Sequence, residues 1–274
     1  MSKPARVPLP ANAPVLLRED REGIVTLTLN RPEQRNALCE ELLDSLIATF
    51  ATIAGDRSVR AVIIAGNGPA FCAGHDLKQM TAHRNEPDRG RAYFAALFEK
   101  CAGMMQQIMH LPQPAIASVH GVASAAGCQL VASCDLVIAS EAARFATPGV
   151  QIGLFCSSPM VALSRKVASN QAMEMLLTGE MVSAARAYEM GLVNRLVAPG
   201  REREEAWKLA QAVASKSSYV QKIGKGAYYR QLDMNLADAY KYGARVMAEN
   251  MMARDAEEGI GAFIDKRDPK WEDR

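Results

Sequence analysis

The sequence predicts an α/β fold, because short apolar strands alternate with helical segments through most of the chain. The stretch "IVTLTLN" (24–30) alternates Thr with Val or Leu, as a strand with one buried face does. The wholly apolar "AVIIAG" (61–66) is typical of a strand buried on both faces. Between them, from Glu40, apolar residues recur at helical spacing. This order indicates a parallel sheet with right-handed crossovers.

The same alternation continues along the chain. A helical stretch from about Tyr93 to His110 leads to the strand "AIASV" (115–119). A helix of small residues from about Ser124 then leads to the strand "DLVIAS" (135–140). Beyond Pro199–Gly200 no strand-like run follows, and the pattern is helical.

These patterns divide the chain into three parts. Residues 1–14 are rich in proline and are predicted to form a mobile tail. Residues 15–200 are predicted to form the α/β core, and residues 201–274 a helical appendage.

Composition limits the classes of partner. The chain has 274 residues, 49% of them hydrophobic, and 32 basic against 30 acidic residues give a net charge of +2. Since the basic residues are dispersed, neither nucleic acid nor a membrane surface is expected as a partner. Six cysteines without an apolar signal segment predict free thiols and a cytoplasmic location.

Two loops rich in small residues follow consecutive strands: "GNGPAFCAGHDL" (66–77) and "HGVASAAGCQL" (120–130). Small residues let a substrate oxygen approach backbone N–H groups, and free N–H groups at the start of a helix attract negative charge. Two such donors that converge on one oxygen form an oxyanion hole. The alternative is that the small residues only allow helices to pack closely.

Six ordered blocks of the chain resemble one known family. They are "LNRPEQRNAL", "FCAGHDLKQM", "QPAIASVHGVASAAGCQLVASCD", "FATPGVQIGLF", "LLTGEMVSAARAYEMGLVNRLV" and "EEGIGAFIDKRDPKW". From about Ile24 to Trp271 the chain is similar to the crotonase superfamily, the enoyl-CoA hydratase/isomerase family. Within it, "ATPGVQIGLFCSSP" resembles the divergent enoyl-CoA hydratase domain-containing group.

The resemblance implies a fold, a substrate class and an assembly. The fold is a spiral of repeated ββα units with a C-terminal helical trimerisation region, and the assembly is a homotrimer or homohexamer. The substrate is an acyl-CoA, as in the lyases of fatty acid metabolism. Coenzyme A enters as part of that substrate, so neither a tightly bound cofactor nor a metal is expected.

The resemblance also implies site residues. The two oxyanion donors are the backbone N–H groups of His75 and Ala126. Gln129 and Gly149 occupy the positions of the two catalytic glutamates, and the residues expected to contact coenzyme A are Arg35, Ala37, Ala73, Asp76, Phe263 and Lys266. The last two reach the nucleotide from a neighbouring subunit.

An amide and a glycine cannot exchange protons as two glutamates do, so the usual hydration is not expected. In related naphthoate synthases a glycine at the position of Gly149 leaves room for a bicarbonate that acts as the base. Isomerase, thioesterase or bicarbonate-assisted lyase chemistry, and acyl-CoA binding without turnover, are the alternatives. A serine hydrolase using Ser124 is a further one, although no G-x-S-x-G motif surrounds it.

Overall fold

The computed structural model describes residues 13–274, which form two sheets and a set of helices. The strands are β1 (Leu16–Arg21), β2 (Ile24–Leu29), β3 (Ala61–Gly66), β4 (Ala70–Cys72), β5 (Ala115–Val119), β6 (Val122–Ser124), β7 (Leu136–Ser140), β8 (Arg144–Ala146), β9 (Val182–Ser183) and β10 (Arg195–Val197). The helices are α1 (Glu40–Gly55), α2 (Leu77–Ala82), α3 (Arg91–His110), α4 (Ala126–Ser133), α5 (Ser157–Leu163), α6 (Ser169–Thr178), α7 (Ala184–Glu189), α8 (Glu202–Ala214), α9 (Ser218–Gln231), α10 (Leu236–Met251) and α11 (Arg254–Asp265).

The topology is a spiral. The large sheet has the order β1-β2-β3-β5-β7-β10, and its strands are parallel except for the antiparallel β1–β2 pair. The small sheet has the order β4-β6-β8-β9. In each repeat the first strand joins the large sheet, the second joins the small sheet, and a helix follows, as in β3–β4–α2, β5–β6–α4 and β7–β8–α5. The predicted fold class is therefore confirmed.

The strands predicted from periodicity are present at β2, β3, β5 and β7, and the predicted helices at α1, α3, α4 and α8. The sequence reading missed β1 and the short strands of the small sheet. Strand β1 reads "LLREDR" and five of its six residues are exposed, so it carries no apolar alternation. The predicted tail falls on residues 1–14, of which 1–12 lie outside the described residues.

The large sheet is covered on both faces. One face packs against α1, α3 and α4 around buried side chains such as Leu27, Leu43 and Phe145. The other face packs Ile63 and Ile116 against Ala206 and Ala210 of α8. The first helix of the region predicted as an appendage is thus a layer of the core. The division at residue 200 remains a prediction.

The C-terminus returns to the core through polar contacts. The buried carboxylate of Asp255 accepts hydrogen bonds from the Ser217 hydroxyl and from the backbone N–H groups of Glu272 and Asp273. The Asp273 carboxylate also pairs at 2.7 Å with the guanidinium of Arg60, the residue just before β3. These contacts hold the last residues against the edge of the sheet where β3 begins.

Two further features concern the cysteines and the apolarity of the helices. The six cysteines, all in the described part of the chain, are buried and form no disulfide, as expected. Among residues 13–274, no helix combines the length and the apolarity that crossing a membrane requires.

Candidate active site

The loops after β4 and β6 meet at the start of α4. A Cβ placed on Gly74 would lie 3.0 Å from the Cβ of Ala125 and 3.4 Å from the backbone N of Ala126. A Cβ on Gly127 would lie 2.1 Å from the carbonyl oxygen of Cys72, closer than any real contact. Glycine at these two positions therefore allows the loops to touch.

The two amides predicted as oxyanion donors are both free. The Leu38 N–H donates to Gly74 O at 2.8 Å and Asp76 N–H donates to Leu38 O at 3.2 Å, which leaves the N–H of His75 between them unused. Ala126 is the first residue of α4, where a helix leaves its N–H groups without acceptors. Among residues 13–274, neither amide has a hydrogen-bond acceptor.

The residue before this helix is strained. Ala125 has φ 49° and ψ −117°, a conformation that favours glycine, and its N–H is held by Ala146 O at 2.9 Å. Backbone strain of this kind costs on the order of 1–3 kcal/mol and concentrates at functional sites. We call residues 73–75 and 125–127 together the donor region.

The imidazole of His75 lies against Phe98, with the ring centroids 5.5 Å apart. Burial lowers the pKa of His75, although the Leu38 carbonyl opposes the shift. Its Nδ1 is buried and has no hydrogen-bond partner among the described residues. Burial therefore favours the neutral form of the ring.

Gln129 lies one turn into α4 and is 4% exposed. Its backbone N–H donates to Ala125 O, whereas its side-chain Oε1 is buried and accepts no hydrogen bond from residues 13–274. An unpaired buried acceptor costs about 1–3 kcal/mol. The Gln129 oxygen therefore lowers the stability of the fold rather than adding to it.

Gly149 lies in a 3-10 turn (Pro148–Ile152) that folds back on itself. A Cβ there would lie 2.6 Å from Leu154 O and 3.0 Å from Cys156 Sγ. Burial raises the pKa of the Cys156 thiol, and the Gly149 amide offsets part of this. The space beside Gly149 is thus filled, so the bicarbonate alternative gains no support. We call Gln129 with residues 147–156 the acid region, because the resemblance places the two glutamates of the family at Gln129 and Gly149.

A cavity of about 640 Å³ opens beside the donor region. Two of the predicted coenzyme A contacts, Arg35 and Ala73, line it, and the Ala73 N–H donates to Arg35 O at 3.0 Å. Ser124, just before the strained alanine, also lines it. The cavity therefore lies between the loop that carries Arg35 and two residues, Ala73 and Ser124, that stand two positions before His75 and Ala126.

Other predicted contacts lie elsewhere. Ala37 is buried and its carbonyl accepts from Arg31. Asp76 caps α2 and pairs with Arg31 at 3.1 Å; burial alone would raise the pKa of Asp76, but Arg31 and the capped amides lower it overall. On α11, Phe263 is 85% exposed and Lys266 ends the helix, and neither lines the cavity. Their role stays a prediction.

The structure also adds a residue that sequence reasoning missed. Met181 lines the cavity from the turn before β9, more than a hundred residues after Arg35. No local pattern in the sequence marks it. Ser124, the candidate nucleophile of a hydrolase, has no hydrogen bond to a histidine within the described residues.

Comparison with known proteins gives the same family throughout. A family model described as "Enoyl-CoA hydratase/isomerase" matches residues 19–274. The chain is 44% identical over 250 residues to "Enoyl-CoA hydratase domain-containing protein 3, mitochondrial" of Homo sapiens, covering 91% of this chain and 81% of that protein. It is 31% identical to "Enoyl-CoA hydratase, mitochondrial" of Pongo abelii, and the match covers 96% of this chain and 90% of that protein.

A solved structure agrees. The crystal structure of an enoyl-CoA hydratase from Mycobacterium smegmatis superposes with a TM-score of 0.90 at 50% identity, covering 94% of this chain and 99% of that one.

The expected cytoplasmic location is wrong, since it is contradicted by relatives whose names place them in the mitochondrion. The chain belongs to the crotonase superfamily, in the enoyl-CoA hydratase/isomerase family.

Proposed function

We propose that this chain binds an acyl-CoA and stabilises the enolate of its thioester between the N–H groups of His75 and Ala126. The observation that carries the proposal is that two unused backbone donors lie on loops that touch each other, next to a cavity lined by Ala73 and Ser124. Both donors are fixed by the secondary structure next to them. The acyl-CoA class is supported by the family to which the chain belongs.

The chemistry follows from where charge develops. When the carbon next to the thioester carbonyl loses a proton, negative charge moves onto the thioester oxygen, and it leaves that oxygen again when the carbon regains a proton. Two preorganised N–H donors bind that charge more strongly than they bind the neutral carbonyl, at about 3 kcal/mol for a well-placed donor. The donor region would therefore lower the barrier without any titrating side chain.

Proton transfer is the atypical part. A glutamine amide neither takes nor gives a proton near pH 7, and Gly149 contributes only backbone atoms. We propose that hydration by two glutamates is not the reaction of this chain, even though several relatives are named enoyl-CoA hydratase. Acyl-CoA binding without turnover is the second candidate, and Gln129 and Gly149 are the residues that favour it.

Binding of coenzyme A would begin at the Arg35 loop. The guanidinium of Arg35 suits a phosphate because it offers charge-assisted hydrogen bonds. Phe263 and Lys266 would cover the nucleotide from another subunit of a homotrimer or homohexamer. Exposed apolar side chains on the C-terminal helices support such packing: Tyr240, Met247, Met251, Phe263 and Ile264.

The test combines two measurements on the full chain. Calorimetry measures binding of a non-hydrolysable acyl-CoA analogue, and a spectrophotometric assay measures hydration of crotonyl-CoA. Both use the wild type and Gln129→Glu, with Gln106→Glu as the matched control on the exposed face of α3.

We expect the wild type to bind the analogue and to leave crotonyl-CoA essentially unhydrated. A gain of hydration in Gln129→Glu but not in Gln106→Glu would place residue 129 at the reacting atoms. Rapid hydration by the wild type would contradict the proposal about proton transfer. Absence of analogue binding would contradict the acyl-CoA site itself.

A further inference from the structure

A thiol occupies the place where a side chain of residue 149 would begin. A Cβ built on Gly149 would lie 3.0 Å from Cys156 Sγ and 3.2 Å from the Cys156 backbone N. Cys156 immediately precedes α5 and is 7% exposed. The chain therefore carries a different titratable group at the position where the resemblance expects the second glutamate.

The Cys156 thiol also lies next to the helix that carries one of the oxyanion donors. Burial raises the pKa of Cys128, in the first turn of α4, to about 12, and the nearby Cys156 sulfur adds to the shift. The Ala146 amide contacts the Cys128 thiol, and Ala146 O accepts the hydrogen bond that holds Ala125. Cys156 and the N–H of Ala126 therefore adjoin the same turn of α4.

Two polar side chains beside these thiols lack a partner. The hydroxyl of Thr147, two residues before Gly149, is fully buried and forms no hydrogen bond with another of residues 13–274. The same holds for the buried Oε1 of Gln129, the residue after Cys128 on α4. Buried polar atoms are nearly always paired, so unpaired ones indicate a place for a bound molecule. The neighbourhood of the thiol is thus a place where the fold leaves polar groups for a substrate.

A thiol can transfer a proton, which neither an amide nor a glycine can do near pH 7. Burial raises the pKa of Cys156, although the Gly149 amide opposes the shift, so the thiol keeps its proton at neutral pH. Cys128 is the titratable group that faces it from α4. The carbon of a thioester enolate is far more basic than a thiolate, so a protonated thiol can return a proton to it.

We propose that Cys156 is the catalytic residue that transfers the proton at the carbon next to the thioester carbonyl. The Cys156 thiolate takes this proton: the C–H bond breaks, an S–H bond forms, and the electron pair moves onto the thioester oxygen between the His75 and Ala126 amides. In the reverse step the thiol returns a proton to the carbon, and the negative charge returns to sulfur. Without a base at residue 129 to activate water, the proton exchanges but no water is added. This inference rests on the proposed function, because the enolate forms at those amides.

The test follows the exchange of this hydrogen with solvent. Butyryl-CoA is incubated with the full chain in D₂O, and mass spectrometry measures the deuterium that it gains. Calorimetry measures binding of the non-hydrolysable acyl-CoA analogue in parallel. We expect the wild type to catalyse exchange at a rate that rises about tenfold per pH unit from about pH 6 to about pH 8. Only the thiolate accepts the proton, and it stays a minor form below the raised pKa of Cys156.

Variants assign the exchange to this thiol. Cys156→Ser should bind the analogue but lose at least about a hundredfold in exchange rate, because a hydroxyl does not ionise in this pH range. The matched control is Cys39→Ser, which should exchange at the wild-type rate. Cys39 also immediately precedes a helix, and at 8% exposed it is buried to nearly the same extent.

The outcomes separate this inference from the proposed function. Absence of analogue binding would overturn the proposed function itself. Binding by the wild type without exchange would overturn only the role of Cys156. An exchange rate of Cys156→Ser equal to that of Cys39→Ser would do the same. So would a wild-type rate that does not change with pH over this range, a result that needs no variant to fold.

Discussion

The donor region and the acid region share helix α4, yet they are built differently. The donor region consists of backbone amides left free by a strand end and a helix start, with glycines that bring them together. The acid region offers an amide and a glycine whose side-chain space is filled by the Leu154 carbonyl. Backbone donors depend on the fold, whereas proton transfer depends on single side chains. A site can therefore keep its electrostatic half while its acid–base half varies.

The largest effect is expected at Gly127. Gly127→Ala would bring a Cβ to 2.1 Å from the Cys72 carbonyl and so force two buried backbones apart. We expect a loss of about 3 kcal/mol or more in the free energy of unfolding, together with weaker binding of the acyl-CoA analogue. Urea unfolding measures the first effect and calorimetry the second.

The control is Gly103→Ala in α3, where a Cβ meets nothing within 4 Å. Its free energy of unfolding should rise by roughly 0.5–1 kcal/mol, as expected when alanine replaces glycine within a helix. A stable Gly127→Ala variant with unchanged binding would show that the two loops do not need to touch.

Gly149→Ala should lower the free energy of unfolding by less than Gly127→Ala does, by about 1–3 kcal/mol. Its Cβ would lie 2.6 Å from the Leu154 carbonyl, but Leu154 and Phe155 are exposed, so their segment can shift. Binding of the analogue should change little. Gly224→Ala, at an open position of α9, is the control for urea unfolding. A loss equal to that of Gly127→Ala would mean that the acid region is as rigid as the donor region.

Asp76 tests the loop that carries one donor. Asp76→Asn keeps the helix cap, since asparagine caps equally well, and removes the part-buried ion pair with Arg31. We expect a loss of about 1 kcal/mol at pH 7 by urea unfolding. Because the pKa of Asp76 is lowered in the folded chain, this stability is present above about pH 3.9, the unfolded value, and is lost as pH falls through the folded value.

The control for this ion pair is Asp44→Asn, which removes an exposed pair with Lys100. Exposed pairs contribute little, so the change should stay below about 0.5 kcal/mol. A difference between wild type and Asp76→Asn that persists undiminished at pH 2 would argue against the ionic contribution.

The smallest effect is expected at Ala125. Ala125→Gly removes the penalty of a positive φ but gives the unfolded chain more freedom, so a net gain of up to about 1 kcal/mol is expected. Ala96→Gly, at an exposed position of α3 with ordinary helical geometry, should lose about 1 kcal/mol. If both variants lose stability equally in thermal melts, the Ala125 methyl contributes packing that outweighs the strain.

The sequence predicted the parts that depend on local periodicity. The apolar strands β2, β3, β5 and β7 and the helices between them follow from the spacing of their side chains, and the loops of small residues pointed to the donors. The filled space beside Gly149 and the contribution of Met181 arise from residues distant in the chain. The apolar stripe of α8 can be seen in the sequence at Ala206, Leu209, Ala210 and Val213, but its packing on the sheet was not predicted, because a stripe does not show which surface it covers.

Strand β1 has a consequence for solubility. It pairs with β2 along its full length and turns five exposed, mostly charged residues outward, including the Arg18–Asp20 pair. An uncovered edge of β2 would present unpaired backbone and apolar side chains to another molecule. Charged edge strands prevent such edge-to-edge association. The least core-like strand of the molecule thus protects it from aggregation.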